Sequence, residues 1–402
     1  MKKGLLYFLI LIVLVLLNAC ASMTSLNNEQ KENINTKKER AVIEDEMNGL
    51  KDSRNEEIGK SGKTPTNDND VLKDFVTYDG PIEHIFFHPL VVYPSLAFDG
   101  DHMSQGYNDY FVTVKEFNSI IESLYSKNYI LIKMSDVFEE TNLNGKKQPI
   151  KKELKLPKDK KPLIISVDDL NYYPYMISNG NAYKLIINSE GKIATFSKDL
   201  SGNEVISEEN EIVPLLNSFV EKHPDFSLNG AKGILALTGY EGVLGYRTND
   251  LDSPSYEIEK KEAMQVINKL KNEGWEFASH GYGHLATANI DLNTLKNDTN
   301  RWLNEVSPLI GETLIYIYPF GSSVLPDDPK FDYLQSVGFR ILCSVGPNPY
   351  LKYTDASAMM DRVHIDGISL ETQQHILNRF FDSDTIIDQQ RFINHSTFAA
   401  GF

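Results

Sequence analysis

The sequence predicts an α/β fold, an incomplete and distorted β/α barrel of about seven strands, with an insertion after the third strand. From Ile82 onward, short apolar runs alternate with stretches of helical periodicity, which is the pattern of repeating β and α units. Seven such runs are present. No Gly-rich phosphate loop follows the first run, and this favours a barrel over an open doubly wound sheet.

Each predicted strand is a short run rich in residues that favour strands. The seven are Ile85–Phe87, Tyr129–Ile132, Leu163–Val167, Ile234–Leu237, Trp275–Ala278, Leu314–Ile317 and Arg340–Ser344. Three helices are predicted where apolar residues recur on one face, and they span Thr113–Ser126, Glu262–Asn272 and Leu292–Val306.

The insertion runs from Asn171 to Ala231. It contains a predicted hairpin, in which Ala182–Ile187 returns as Lys192–Phe196, and a predicted helix over Glu208–Lys222 that Pro214 kinks. Because the insertion follows a strand end, it lies near the active face of a barrel. We expect it to shape the substrate groove; an excursion with no part in the function is the alternative.

The amino-terminal residues predict an export signal. Lys2 and Lys3 precede the apolar run Leu5–Leu17, which has the length of a signal-peptide core and is shorter than the roughly 20 residues of a spanning helix. The segment Leu17–Cys20 resembles the lipobox of bacterial lipoproteins. The resemblance implies that residues 1–19 are removed, that Cys20 is acylated, and that lipid anchors the rest of the chain to the outside of the cell membrane. An uncleaved anchor with an incidental Cys is the alternative.

Residues 20–70 predict a disordered tether. From residue 21 on they contain no Phe, Tyr or Trp and are rich in Asn, Lys, Glu and Ser, so they bury too little apolar surface to offset the chain entropy. A flexible coil of this length spans roughly 40 Å. The folded, catalytic part is therefore predicted to be residues 71–402.

The charge balance excludes one class of partner. The chain has 40 Lys and Arg against 56 Asp and Glu, a net charge of -16. Nucleic-acid binding depends on basic patches, so no nucleic acid is expected as a partner. The two Cys cannot form a disulfide framework, and Cys343 is expected to be a small buried residue.

Two adjacent carboxylates close the third predicted strand, which ends in Ser166, Val167, Asp168 and Asp169. Barrel enzymes place catalytic groups at the carboxyl ends of their strands. Paired acids are useful there because one binds a cation while the other accepts a proton. The same pair also occurs as a helix cap or a turn.

A pair of histidines follows the strand Trp275–Ala278. His280 and His284 are four residues apart, and Gly281 and Gly283 between them permit an unusual turn. With one carboxylate they complete a two-His, one-Asp metal site with open positions. Such a pair also occurs in capped loops and cores, but its place at an equivalent strand end favours a metal site. Zn is the expected metal, and Co, Ni or Mn suit the same ligands.

This order of motifs resembles the polysaccharide deacetylases with a NodB homology domain, carbohydrate esterase family 4. Ser166–Asp169 is similar to their Thr-Phe-Asp-Asp motif, His280–His284 to His-Ser/Thr-x-x-His, and Pro319–Gly321 to the end of Arg-x-Pro-Phe/Tyr-Gly. The resemblance covers about Ile82–Leu370 and implies a NodB-type barrel.

The resemblance implies a role for each residue. Asp168 would be the general base, and the backbone N–H of Phe320 would stabilise the oxyanion. The implied metal ligands are Asp169, His280 and His284.

Two departures from the family pattern accompany these roles. Gly281 replaces the hydroxyl residue of the His motif, and Ile317 occupies the position of the Arg that orients the base. Arg247 or Arg362 would have to supply that guanidinium from elsewhere.

The general acid that the family provides has two main candidates. His364 follows Arg362 and Val363 near the carboxyl terminus, where the family has Leu-x-His. His88 closes the first strand, an arrangement that resembles the poly-N-acetylglucosamine deacetylases. We favour His88 over His364, with His84 a third choice farther from the strand end.

Two functions from different classes follow. The first is hydrolysis of N-acetyl groups from a cell-wall or extracellular polysaccharide, of peptidoglycan or poly-N-acetylglucosamine type, by a membrane-anchored lipoprotein. The alternative is a catalytically lapsed, deacetylase-like domain that binds glycan at the cell surface. A metal hydrolase for a small amide or ester would share the same site.

Overall fold

The computed structural model describes residues 75–143, 146–354 and 356–391. Residues 75–391 belong to one compact unit. The predicted leader, Cys20 and the predicted tether lie outside the described residues. Among the helices that are described, none has the length and apolarity that crossing a membrane requires.

The strands are numbered in chain order: β1 Phe75–Thr77, β2 Glu83–Phe87, β3 Tyr129–Leu131, β4 Phe138–Leu143, β5 Lys146–Lys151, β6 Lys155–Pro157, β7 Lys161–Asp168, β8 Lys184–Ile187, β9 Ile193–Lys198, β10 Glu204–Ser207, β11 Ile234–Leu237, β12 Glu276–Ser279, β13 Ile315–Ile317, β14 Ile341–Val345, β15 Leu351–Tyr353 and β16 Ala358–His364.

The α-helices are α1 Pro94–Ala97, α2 Ser104–Tyr110, α3 Val114–Ser126, α4 Met134–Val137, α5 Pro174–Ser178, α6 Ile212–Lys222, α7 Tyr256–Asn272, α8 Leu292–Glu305, α9 Ser307–Ile310, α10 Pro329–Ser336, α11 Gly367–Thr372, α12 Gln374–Leu377 and α13 Ser383–Ile386. Short 3-10 turns cover Pro224–Phe226, Thr287–Asn289 and Pro319–Gly321.

Seven parallel strands form a closed barrel. The ring runs β2–β7–β11–β12–β13–β14–β16 and returns to β2, and every neighbouring pair is parallel. The predicted α/β barrel of about seven strands is confirmed. It has one strand fewer than an eight-stranded barrel, yet its hydrogen-bonded ring is complete.

The alternation of side chains divides the residues of most barrel strands between two cores. On β7, Leu163, Ile165 and Val167 join the larger core that includes residues of the long helices. Ile164 belongs to a second apolar cluster formed with residues of the other barrel strands, such as Ile317. Both faces of the strand are therefore buried, which explains its continuous apolar run.

Six of the seven predicted strands belong to the ring. The exception is Tyr129–Leu131, which pairs with Lys161–Leu163 of β7. These residues lie closer to the amino end of β7 than the residues that pair with β11. The seventh ring strand is β16, which the sequence did not predict as a strand. Its apolar run is interrupted by Asp361 and Arg362, and only the folded barrel provides Arg362 with a partner.

The insertion contains the predicted hairpin as β8 and β9, and a third strand, β10, extends it. The helix α6 begins at Ile212 rather than Glu208, and Glu211 caps it by accepting the Ile212 N–H. The predicted kink at Pro214 was wrong. Pro214 lies in the first turn of the helix, where the missing N–H has no intrahelical partner to lose.

Candidate active site

All seven predicted site residues line one cavity at the carboxyl ends of the barrel strands. The cavity has a volume of about 430 Å³, and the residues are His88, Asp168, Asp169, His280, His284, Phe320 and His364. The insertion contributes Tyr175 to the same lining. Residues distant in sequence meet here because parallel strands end at the same face of a barrel.

A second cavity, of about 610 Å³, includes residues at the amino ends of several barrel strands, among them Glu276, Ile315 and Ile341. It is larger than the first, but its lining contains no histidine. Volume alone therefore does not identify the site, whereas the converging His and Asp side chains do.

Asp169, His280 and His284 form a cluster that can hold a metal ion. One ligand atom from each lies within 4.8 Å of the others, and His284 Nε2 is 3.5 Å from Asp169 Oδ2. Two imidazoles and one carboxylate are a donor set that suits Zn and the neighbouring divalent metals. The residues present therefore fit such an ion, with His280 and Asp169 almost fully buried and His284 partly exposed.

His280 is oriented by the neighbouring strand. Its Nδ1 lies 2.9 Å from the carbonyl oxygen of Ile317, so Nδ1 carries the proton and donates it. This leaves Nε2 as the ligating nitrogen. Ile317 itself contributes only its backbone, since its side chain is buried in the barrel interior.

His284 is held in its neutral form. Burial lowers the pKa of its imidazole to about 4, although Asp169 acts in the opposite direction. A histidine must be neutral to bind a metal, so His284 is in its ligating state at physiological pH.

The loop between the two histidines is fixed by Asp298 of helix α8. Its carboxylate accepts the backbone N–H groups of Tyr282 and Gly283, at 2.8 and 2.7 Å. Gly281 has a φ of 66°, and a Cβ there would lie 3.1 Å from Asp298 Oδ2. A glycine at position 281 therefore leaves room for the Asp298 carboxylate that holds the loop.

Asp168 forms a buried ion pair with Arg362 of β16. Arg362 Nη1 and Nη2 donate to Asp168 Oδ1 and Oδ2, at 2.8 and 2.9 Å, and Nη1 also donates to Ser166 Oγ. Burial would raise the Asp168 pKa, but Arg362 and His280 outweigh it and lower the pKa to about 2. The carboxylate is therefore ionised at physiological pH.

Of the two arginines considered from the sequence, Arg362 is the one that contacts the acid. Arg247 instead donates to the backbone carbonyls of Glu241 and Tyr172, both at 2.6 Å. The guanidinium that contacts Asp168 therefore comes from β16, and not from β13, on which Ile317 lies.

The two candidate general acids differ in their free ring nitrogens. His364 has both occupied, with Nδ1 at 2.7 Å from Asp366 Oδ2 and Nε2 at 3.1 Å from Gln373 Oε1. His88 uses Nδ1 to donate to the Tyr110 carbonyl at 3.1 Å. Within the described part of the chain, its Nε2 has no hydrogen-bond partner.

The third histidine considered, His84, does not line the cavity. It is 1% exposed, and its Nε2 is 3.0 Å from Ser166 Oγ inside the barrel. Burial is the largest influence on its imidazole and lowers its pKa well below the usual value, so His84 is neutral.

Phe320 is the most exposed large apolar side chain of the described residues, at 72%. Its ring contacts that of His284, with centroids 4.3 Å apart. Its φ of 57° is unusual for a bulky residue. An exposed aromatic ring on a strained backbone, beside a histidine of the candidate metal cluster, is typical of a functional position.

Three residues support the site through hydrogen bonds, and the sequence did not predict this role for any of them. Tyr173 donates from its hydroxyl to Asp169 Oδ1 at 2.7 Å, while Asp298 and Asp366 hold the histidine loop and His364. Only Tyr173, close behind the Asp pair, carried a sequence signal, as one of several tyrosines following Asp169.

No protein family model matches the sequence, and no curated protein matches it. Among solved structures, it is similar to the Streptococcus pyogenes deacetylase PplD in complex with acetate, with a TM-score of 0.42 and 11% identity over 72% of this chain and 93% of that chain. It is also similar to two proteins named as polysaccharide deacetylases. BA0330 from Bacillus anthracis has a TM-score of 0.41 and 13% identity, covering 72% of this chain and 66% of that chain. A Mycobacterium smegmatis protein has a TM-score of 0.26 and 17% identity over 38% and 45%.

Proposed function

We propose that this protein is a metal-dependent hydrolase that removes N-acetyl groups from a cell-wall or extracellular polysaccharide. The observation that carries the proposal is a single cavity in which an Asp–His–His donor set adjoins an ion-paired carboxylate. A metal site next to a fixed proton acceptor is the combination that hydrolysis of an unreactive amide requires.

In the proposed reaction, a divalent cation held by Asp169, His280 and His284 would supply Lewis-acid polarisation of the amide carbonyl and of the attacking water. Asp168 accepts the proton of that water. Its ion pair with Arg362 keeps the carboxylate ionised, and the two hydrogen bonds from Arg362 fix the orientation of the carboxylate plane. Phe320 supplies its backbone N–H to the oxyanion that forms at the acetyl carbon.

The amine product leaves only after protonation, because an amide nitrogen is a poor leaving group as an anion. We assign this role to His88, whose Nε2 is unoccupied, ahead of His364, whose ring nitrogens both face hydrogen-bond partners. His88 also acts electrostatically on Asp168 and His284, so its ring lies close to the proposed reaction centre.

Acetate release from N-acetylglucosamine oligomers tests the reaction. The purified protein is assayed with added Zn, with a chelator, and as the Asp168→Asn variant. We expect release that requires both the metal and Asp168. If the folded, zinc-loaded protein releases no acetate from these oligomers or from peptidoglycan fragments, the glycan-binding alternative replaces the proposal.

The general acid is identified by comparing His88→Gln with His364→Gln. We expect His88→Gln to lower kcat by roughly 10²- to 10⁴-fold and to remove the alkaline limb of the pH–rate profile. His364→Gln is the matched control because it alters a histidine in the same cavity. A larger loss with His364→Gln would move the role to His364.

The proposed location is the outer face of the cell membrane, with lipid on Cys20 as the only attachment. A tether of residues 20–70 would then let the catalytic domain reach glycan roughly 40 Å away. The test is mass spectrometry of the amino-terminal peptide in the wild type and in Cys20→Ala. Finding the peptide acylated and starting at Cys20 supports the proposal, and an uncleaved leader contradicts it.

A further inference from the structure

The two carboxylate oxygens of Asp169 have different surroundings. Oδ1 accepts the hydroxyl of Tyr173 at 2.7 Å, whereas Oδ2 faces His284 Nε2 at 3.5 Å. The oxygen that faces the histidine ligand is therefore the one that remains for a metal.

The Tyr173 side chain is held by ring contacts and by hydrogen bonds of its hydroxyl group. Its side chain is 2% exposed, and its ring stacks against Tyr175 and Tyr240, with centroid distances of 5.8 and 4.8 Å. Its hydroxyl oxygen is also 2.6 Å from Thr238 Oγ1, directly after β11. Because the single Tyr173 proton goes to Asp169, the Thr238 hydroxyl donates to the Tyr173 oxygen.

We infer that Tyr173 is a positioning residue that reserves Asp169 Oδ1 and so makes Asp169 a one-oxygen ligand. The inference rests on the proposed metal site and deepens it. With one oxygen occupied by Tyr173, the three protein ligands contribute three donor atoms, and the remaining positions stay open for water and substrate. Without Tyr173, both oxygens of Asp169 can reach the cation, and the carboxylate is free to rotate.

The neighbouring residue offers a matched control. Tyr172 is also a fully buried tyrosine, but its hydroxyl donates to Glu211 at 3.1 Å and not to a predicted metal ligand. Tyr172→Phe and Tyr173→Phe remove the same atom from adjacent buried residues, and each breaks a hydrogen bond to a buried carboxylate. Tyr173→Phe also leaves the Thr238 hydroxyl without its acceptor and is expected to cost more stability, but only this variant alters Asp169.

The test measures metal binding independently of activity. The dissociation constant for Zn is measured by competition with a chromophoric chelator, and the Co-substituted protein is examined by visible absorption, which reports the number and symmetry of the ligands. For Tyr173→Phe we expect Zn binding to weaken by about 10- to 100-fold, the usual effect of losing such an outer contact. We also expect its Co spectrum to differ from that of the wild type.

Two further variants complete the test. Tyr172→Phe is expected to keep the wild-type Zn affinity and Co spectrum despite its lower stability. Thr238→Val, which removes the donor behind Tyr173, is expected to bind Zn more weakly than the wild type but more tightly than Tyr173→Phe, and wild-type Zn affinity in Thr238→Val would contradict the inference. This second variant keeps the inference testable if Tyr173→Phe fails to fold.

The outcomes separate this inference from the proposed function. If the wild type binds no Zn, the proposed metal site fails and the role of Tyr173 fails with it. If the wild type binds Zn and Tyr173→Phe matches it in affinity and Co spectrum, the inference alone is overturned. Equal losses in Tyr172→Phe and Tyr173→Phe would also overturn it, because they would indicate a general structural effect.

Discussion

Two buried carboxylates differ in the charge of their hydrogen-bond donors: Asp168 lies at the barrel mouth beside a cation, and Glu211 lies in the insertion among neutral donors. Asp168 is 2% exposed and Glu211 is 0% exposed. Asp168 receives two guanidinium N–H groups from Arg362. Glu211 receives three neutral donors, namely the backbone N–H groups of Leu90 and Ile212 and the hydroxyl of Tyr172.

The consequence is a large difference in pKa. Burial raises the pKa of Glu211 to about 7, because it outweighs the three hydrogen bonds. For Asp168, burial acts in the same direction, but Arg362 and His280 outweigh it and lower the pKa to about 2. Burial therefore does not by itself decide whether a carboxylate is charged; a cation in contact with it does.

Glu211 also connects the insertion to the site. Leu90 follows His88 by two residues, and Tyr172 follows Asp169 by three. The carboxylate thus joins both of these loops to the start of helix α6. Asp168 of the charged pair at the barrel mouth is the proposed proton acceptor, whereas Glu211 connects the loops and the helix around the site.

The largest expected effect comes from removing the charge at the barrel mouth. Asp168→Asn is expected to lower the rate of acetate release by roughly 10²- to 10⁴-fold, since it deletes the proposed proton acceptor. Asp361→Asn is the control, because this acid of β16 does not line the cavity. Comparable activity in Asp168→Asn and the wild type would contradict the assignment of the base.

Removing the cation makes Asp168 resemble Glu211. Arg362→Met is expected to lower the free energy of unfolding by about 3–5 kcal/mol, because it leaves a buried carboxylate without its counter-charge. The double variant Asp168→Asn, Arg362→Met is expected to recover much of this loss. Urea unfolding of the three variants measures it, and strictly additive losses would argue against the pair acting as a unit.

Neutralising the other carboxylate gives a smaller, pH-dependent effect. The folded pKa of Glu211 lies above its unfolded value of about 4.3, so the wild type has its full stability below that pH and loses stability as the pH rises through about 7. Glu211→Gln does not titrate. Its amide oxygen can accept the N–H groups of Leu90 and Ile212, and its NH2 group can donate to the Tyr172 oxygen, which reverses the direction of that hydrogen bond. Relative to the wild type, we expect it to gain up to about 3 kcal/mol between pH 4 and pH 8. Urea unfolding across this range tests the prediction, and a constant difference would contradict it.

The smallest effect is expected from the donor to Glu211. At pH 8, Tyr172→Phe removes a hydrogen bond to a charged group and should cost about 1.5–3 kcal/mol. At pH 4, where Glu211 is protonated, the loss should fall to about 1 kcal/mol. Urea unfolding at both pH values measures the two losses. Equal losses would mean that Glu211 does not change its charge between them.

Local sequence patterns predicted most of the fold and the residues of the proposed metal site and general base. Six of the seven barrel strands, the hairpin of the insertion and the three long helices were predicted from apolar periodicity. Asp168, Asp169, His280 and His284 were singled out because each follows an apolar strand. Since parallel strands of one barrel end at one face, these residues had to lie near one another.

The partners of those groups depended on the closed ring. Arg362 donates to Asp168, although the two residues are 194 positions apart in the sequence. It lies on β16, the barrel strand that was not predicted because charged residues interrupt its apolar run. The choice between Arg362 and Arg247, and the free nitrogen of His88, depend likewise on which strands and loops are neighbours. Periodicity along the chain reports burial of a local face, but it carries no information about which distant side chain supplies the matching hydrogen bond or charge.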